Sequence, residues 1–150
     1  MSQTLLTRFR VKPDPTRPQY YVVRISPTKA AMYADYQRVK VVDDDLADLC
    51  DFAAITMPWQ RLLIAADGTV TEHAEHGAIL FYEQSIGALT VSHEMTHVAI
   101  DYLETVEGVD WSHLKADHAL EERLCTVQGY LTGEFWWKFA AYERRRARKT

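Results

Sequence analysis

Residues 87–99 read GALTVSHEMTHVA, with His93-Glu94-Met95-Thr96-His97 at the centre. On an α-helix positions i and i+4 share a face, so His93 and His97 can present both imidazoles to one metal ion. Glu94 follows one residue on, about 100° round the helix, where its carboxylate flanks the ion without ligating it. This division of labour suits Zn²⁺: neutral imidazoles hold the ion, the ion acidifies water, and an unligated carboxylate takes the proton. The surrounding apolar residues, Ala88, Leu89, Val91, Met95, Val98, Ala99, Tyr102 and Leu103, mark a packed helix. It is expected from near Ile86 to about Val106, stopping before Gly108.

Upstream, the chain reads as strands. Residues 4–12 and 19–26 have β-branched and aromatic content, and PDPTRP between them forms a stiff connection. Ser26-Pro27 reads as N-cap and first helical residue of a helix over about 28–39. Asp43, Asp44, Asp45, Asp48 and Asp51 read as a solvated helix start and lack the ligand order of a calcium loop. RLLIAADGTVTEH carries a hairpin signal at Asp67-Gly68, with His73 and His76 in a polar turn beside it. Ala78 to Glu83 (AILFYE) reads as a further strand, placed just before the His-Glu helix. Downstream, 108–116 is a connection, and a last helix begins after Asp117 and runs to about Arg145. Strands first and two helices last give an α+β class in one domain, 1–150, with 143–150 as a basic helix end.

Catalytic zinc takes a third protein ligand. The short-spacer pattern fails, because the residue six beyond His97 is Leu103. Asp101, one turn after His97, reads as a supporting or solvated acid. Glu121 and Glu122 on the last helix are the better candidates. That helix carries an apolar stripe of Leu120, Leu124, Val127, Leu131, Phe135 and Tyr142, which is core. Glu122 belongs to a second stripe with Cys125, Gly129, Gly133, Trp136 and Ala140, whose small residues permit close approach of a neighbour. If that neighbour is the His-Glu helix, Glu122 points to the metal and Glu121 lies at the margin.

GALTVSHEMTHVA together with EERLCTVQGYLTGEFW (121–136) resembles the gluzincin zinc metallopeptidases. Among these the chain is similar to the compact minigluzincins and, more closely, to small zincin-like proteins encoded in phage and prophage genomes, over roughly residues 77–140. The resemblance implies an N-terminal twisted β-sheet, an HExxH helix and a long C-terminal helix. It assigns His93, His97 and Glu122 as Zn²⁺ ligands, with Glu121 the alternative, and Glu94 as general base. Thr126 stands where many gluzincins carry an Asp, and no second motif supplies an oxyanion group. His118, one turn before Glu122, is the first candidate, with His113 and Tyr130 behind it. In zincins generally the strand before the active helix edges the cleft and pairs with extended peptide. By position AILFYE takes that role, through Ile79, Phe81 and Tyr82, although it reads equally as a buried strand.

The composition fits such a protein. The 150 residues are 47% hydrophobic and 25% charged, with two cysteines, Cys50 and Cys125, too few for a disulfide framework. No apolar run spans a bilayer and the N-terminus lacks a signal-peptide pattern, so a cytoplasmic protein is expected, in a bacterial host if phage-encoded. The net charge of −4 divides into +4 for 143–149 and −8 for the rest. Such an acidic body argues against a nucleic-acid partner. Two functions are expected in competition. One is a small zinc peptidase acting on peptide or protein; the other is a zinc-stabilised, non-catalytic module that docks a protein partner, with the basic end available to it.

Overall fold

The computed structural model describes residues 5–40, 53–60, 62–114 and 117–150. The acidic run at 43–51 and Cys50 lie outside the described residues. Strands β1 (Thr7–Val11) and β2 (Tyr20–Ser26) precede helix α1 (Lys29–Val39). Then come β3 (Ala54–Pro58), the hairpin strands β4 (Leu62–Ile64) and β5 (Val70–Glu72), and β6 (Glu75–Tyr82). Helices α2 (Ala88–Thr105) and α3 (His118–Ala147) close the order. The class is therefore α+β, as the order of strand and helix signals predicts. Among the described residues no helix is long and apolar enough to cross a membrane.

Four strands form one sheet in the order β1-β2-β6-β3, and among the described residues β4 pairs only with β5. β1 and β3 run antiparallel to their neighbours, while β2 and β6 are parallel. Parallel neighbours need a crossover, and here the chain between β2 and β6 contains α1, β3 and the hairpin. β6 is consequently hydrogen-bonded on both sides, and six of its eight residues are buried. Of the two readings of AILFYE the buried one holds. Ile79 and Phe81 have strand partners on both sides, so neither can pair with an added peptide. Tyr82 ends the strand, paired with Ser26 and with its N–H and C=O bonded to the Ser85 hydroxyl. The edge nearest α2 belongs to β3, a strand the sequence reading did not foresee.

The sheet is covered on both faces because its inward-facing residues are apolar on both. On one face Tyr21, Val23, Ile25, Ile79 and Phe81 pack against Val91, Met95 and Val98 of α2 and Val127, Leu131 and Phe135 of α3. On the other, Ile55, Ala78 and Leu80 meet Met32 and Tyr36 of α1. α1 begins two residues later than Ser26-Pro27 implies. Thr28 is its N-cap, accepting from the Ala31 N–H at 3.2 Å, while Ser26 is the buried end of β2. A Pro at position 27 is compatible with either start, and the cap fell to the residue whose hydroxyl faces the first turn. Asp117 caps α3 as expected, accepting from Leu120 N–H at 3.1 Å. The basic end does not leave the helix: α3 runs to Ala147, and Arg146 pairs with Glu83 ahead of α2.

Gly77 of β6 faces Pro58 of β3. A Cβ there would overlap the Met57 carbonyl oxygen and sit 3.0 Å from Pro58 Cα. The glycine thus lets β3 lie against β6 and over α2. Gly77→Ala is expected to cost about 1–3 kcal/mol, because the obstacle is backbone. That corresponds to a fall in Tm of ~3–10 °C by calorimetry, whereas Gly129→Ala, with open space around it, should not lower Tm.

Candidate metal centre

α2 turns Val91, Met95, Val98, Ala99, Tyr102 and Leu103 into the core. The remaining arc faces β3 and solvent, and it holds the His-Glu motif. His93 and His97 are exposed, and Glu94, at 6%, is buried between them and β3. The imidazoles meet edge to face, with Nε2 to Nε2 3.1 Å apart. Two rings this close either share a proton or converge on a cation. Two imidazole nitrogens brought together on one helix face are a donor set of the kind that would hold a zinc ion.

Glu94 is held from the sheet. Thr56 of β3 donates its hydroxyl to Glu94 Oε2. The cavity between β3 and α2 has a volume of about 370 Å³ and is open to solvent through His93 and His97. Ala54, Thr56 and Pro58 form its strand wall, and Ile100, Asp101 and Glu104 extend its helix wall. Asp101 Oδ2 accepts from the Tyr21 hydroxyl. Burial pushes the Asp101 carboxyl above the ordinary carboxylate range, against the opposing effect of the Tyr21 hydrogen bond. Burial and the neighbouring Asp101 charge likewise push the Tyr21 hydroxyl up, so it stays a donor.

Glu122 and Glu121 are placed elsewhere. Their side chains are 67% and 64% exposed, each 3.8 Å from a ring nitrogen of His118, which is itself 83% exposed. None of the three lines the cavity of His93 and His97. The cause is the rotation of α3. Its stripe through Val127, Leu131 and Phe135 takes the core, so the stripe of Cys125, Gly129 and Gly133 faces outward, with no atom within 4 Å of a Cβ built at either glycine. The close approach of the small-residue stripe to α2 is thus corrected: α3 meets α2 through its larger residues and a 2.9 Å hydrogen bond from Gln128 to Ser92 Oγ. Among the described residues no group of three His, Cys, Asp or Glu side chains is gathered to hold a metal.

The other candidates are dispersed. Tyr130 lines a shallow groove on α3 with Trp137, and the His113 side chain lies outside the described part. Trp111 packs against the main core. His76 does not sit in a polar turn: it is a 1%-exposed residue of β6, 3.2 Å from Glu72 and next to Asp101 in a small pocket. His73 accepts the Glu75 N–H at 3.0 Å.

Three groups were missed in sequence: Thr56, Tyr21 and the cavity-lining role of Asp101 beside them. The first two are separated from their partners by 38 and 80 positions. No periodicity links residues so far apart. Comparison of the chain with family models, curated proteins and solved structures yields no match.

Proposed function

We propose that this protein is a small zinc-dependent hydrolase of peptide bonds, with His93 and His97 as ligands and Glu94 as general base. One observation supports it most: two convergent imidazoles and a buried carboxylate share a cavity whose far wall is the outer strand of the sheet. Bound zinc would supply Lewis acidity, polarising a carbonyl and bringing the pKa of water to near neutrality. The chain's own residues supply the rest. Glu94, oriented by the Thr56 hydroxyl, takes a proton from water and returns it to the departing amine. β3 ends the strand order, so an extended peptide can add to it by main-chain hydrogen bonds and lie across the cavity. The substrate-pairing role expected of β6 passes to β3 on this reading.

For the third ligand we retain Glu122, with Glu121 as its alternative, and add Asp101, which already lines the cavity one turn beyond His97. Ligation by Glu122 requires α3 to present a face that the structure turns outward, and ligation by Asp101 requires its bond from Tyr21 to be shared or released. Protein purified without an affinity tag is expected to contain about one zinc per chain, and His97→Ala to contain none. Loss of the third ligand is expected to weaken zinc binding ~10–100-fold. Titration of Asp101→Ala, Glu121→Ala and Glu122→Ala with a zinc-competing chelator identifies which one loses affinity. Wild-type protein free of zinc after refolding with the metal would end the proposal. Zinc held without cleavage of any peptide library is the result expected of the non-catalytic module.

A further inference from the structure

The opposite face of the sheet holds a second and larger cavity, of about 670 Å³, bounded by β1, β2 and the C-terminal end of α1. Five cationic side chains line it: Arg8, Arg10, Arg24, Arg38 and Lys40. Among the described residues Glu75 is the acid in its wall. Alternation along β1 sends Phe9 to the α3 side, where it meets Phe135, and so sends Arg8 and Arg10 to the α1 side.

Arg8 stands directly across from Arg24 in the β1–β2 register. Like charges opposed on neighbouring strands are destabilising, so this arrangement carries a cost that an anion between them would remove. Arg24 is partly neutralised from behind, by a two-point bond to buried Asp35 at 2.7 and 2.8 Å. Arg8 and Arg10 are exposed, and among the described residues neither guanidinium has a carboxylate partner. Arg10 is stacked over the Tyr20 ring, 4.2 Å from its centroid, which holds its fork in place. The concentration of charge is notable in a chain whose net charge is −4.

The geometry points to this cavity as a binding site for a polyphosphate group. The exposed arginines of β1, Arg8 and Arg10, carry planar forks that match phosphate oxygens two at a time, and Arg24, Arg38 and Lys40 add positive charge around them. The cations come from two walls, the strands β1 and β2 and the end of α1, so a ligand carrying several phosphates can meet both. The volume lies in the range of small-molecule sites. Trp59, Val22 and Ala78 add an apolar part that a nucleoside would cover and inorganic polyphosphate would not. The site is independent of the metal centre, which is on the other face of the sheet.

Titration calorimetry at low salt, with chelator present, tests the assignment using ATP, tripolyphosphate and a dodecameric oligothymidylate. One equivalent of ATP or tripolyphosphate is expected to bind. Arg8→Ala/Arg10→Ala, checked for folding by circular dichroism, should weaken binding at least tenfold, and His93→Ala/His97→Ala should not change it. Should the alanine pair fail to fold, Arg8→Lys/Arg10→Lys replaces it, with weakening again expected because the fork is lost. Tighter binding of ATP identifies a nucleotide as the source, and equal or tighter binding of tripolyphosphate identifies inorganic polyphosphate; both support the site. It is overturned if neither binds, if the arginine variants bind as wild type does, if removing the histidines abolishes binding, or if the oligonucleotide binds more tightly than ATP.

Discussion

Glu94→Gln is expected to leave zinc content at about one per chain and to lower peptide cleavage by ~10²–10⁴-fold, the usual worth of a general base. Glutamine keeps the length of the side chain and an oxygen to accept the Thr56 hydroxyl, so the 6%-exposed site stays packed and satisfied. What it loses is basicity. A variant that lost zinc as well would make Glu94 a ligand or a structural support. One that kept zinc and full activity would remove it from the mechanism. Thr56→Val separates positioning from proton transfer, since it deletes the donor but leaves the carboxylate. Its expected effect is smaller, about tenfold, on kcat rather than KM, with Thr56→Ser restoring most of the loss. A mere packing role for Thr56 would be satisfied by Val.

Phe135→Ala is expected to cost about 3–5 kcal/mol, the range for deleting a buried aromatic ring. Phe135 is fully buried and lies at the join of sheet and helix. Its ring centroid is 5.6 Å from that of Phe9 on β1, 5.3 Å from Phe81 on β6 and 5.8 Å from Phe139 on α3. Removing it leaves a void bordered by two strands that cannot collapse without bending the sheet, which places the cost at the upper end. In a chain of this length the loss corresponds to a fall in Tm of ~6–20 °C. Two helical positions on, Trp137 is a larger ring but 69% exposed, and Trp137→Ala should change stability by less than about 0.5 kcal/mol. Similar losses for the two variants would mean that α3 presents a different face to the core. Both are measured on metal-free protein, so that zinc binding does not add to either value.

The same rotation of α3 shows where reading the sequence succeeds and where it stops. The stripe from Leu124 through Phe135 was legible because helical period and apolarity coincide along it, and it is the stripe that packs. The second stripe has the same period, but small residues are equally at home against a neighbour or against water. Glu122 was assigned through that ambiguity, and the structure places it outward. β3 was missed for a related reason. Ala54-Ile-Thr-Met-Pro58 is short and not visibly alternating, and it becomes a strand because Gly77 and β6 offer it a partner.

Local spacing by itself determined the helices, the hairpin, the α+β order and the alignment of His93 with His97. Each of these depends on residues within a few positions of one another, where backbone geometry allows few alternatives. Tertiary structure alone decided which strand is the edge, which hydroxyl orients Glu94, which acids share its cavity, and where the cations collect. Arg8, Arg10, Arg24, Arg38 and Lys40 are spread over more than thirty positions of an acidic chain, and only strand register and the packing of α1 bring them to one cavity. These are contacts between residues distant in sequence, set by the burial of both faces of the sheet together, and no local pattern encodes them.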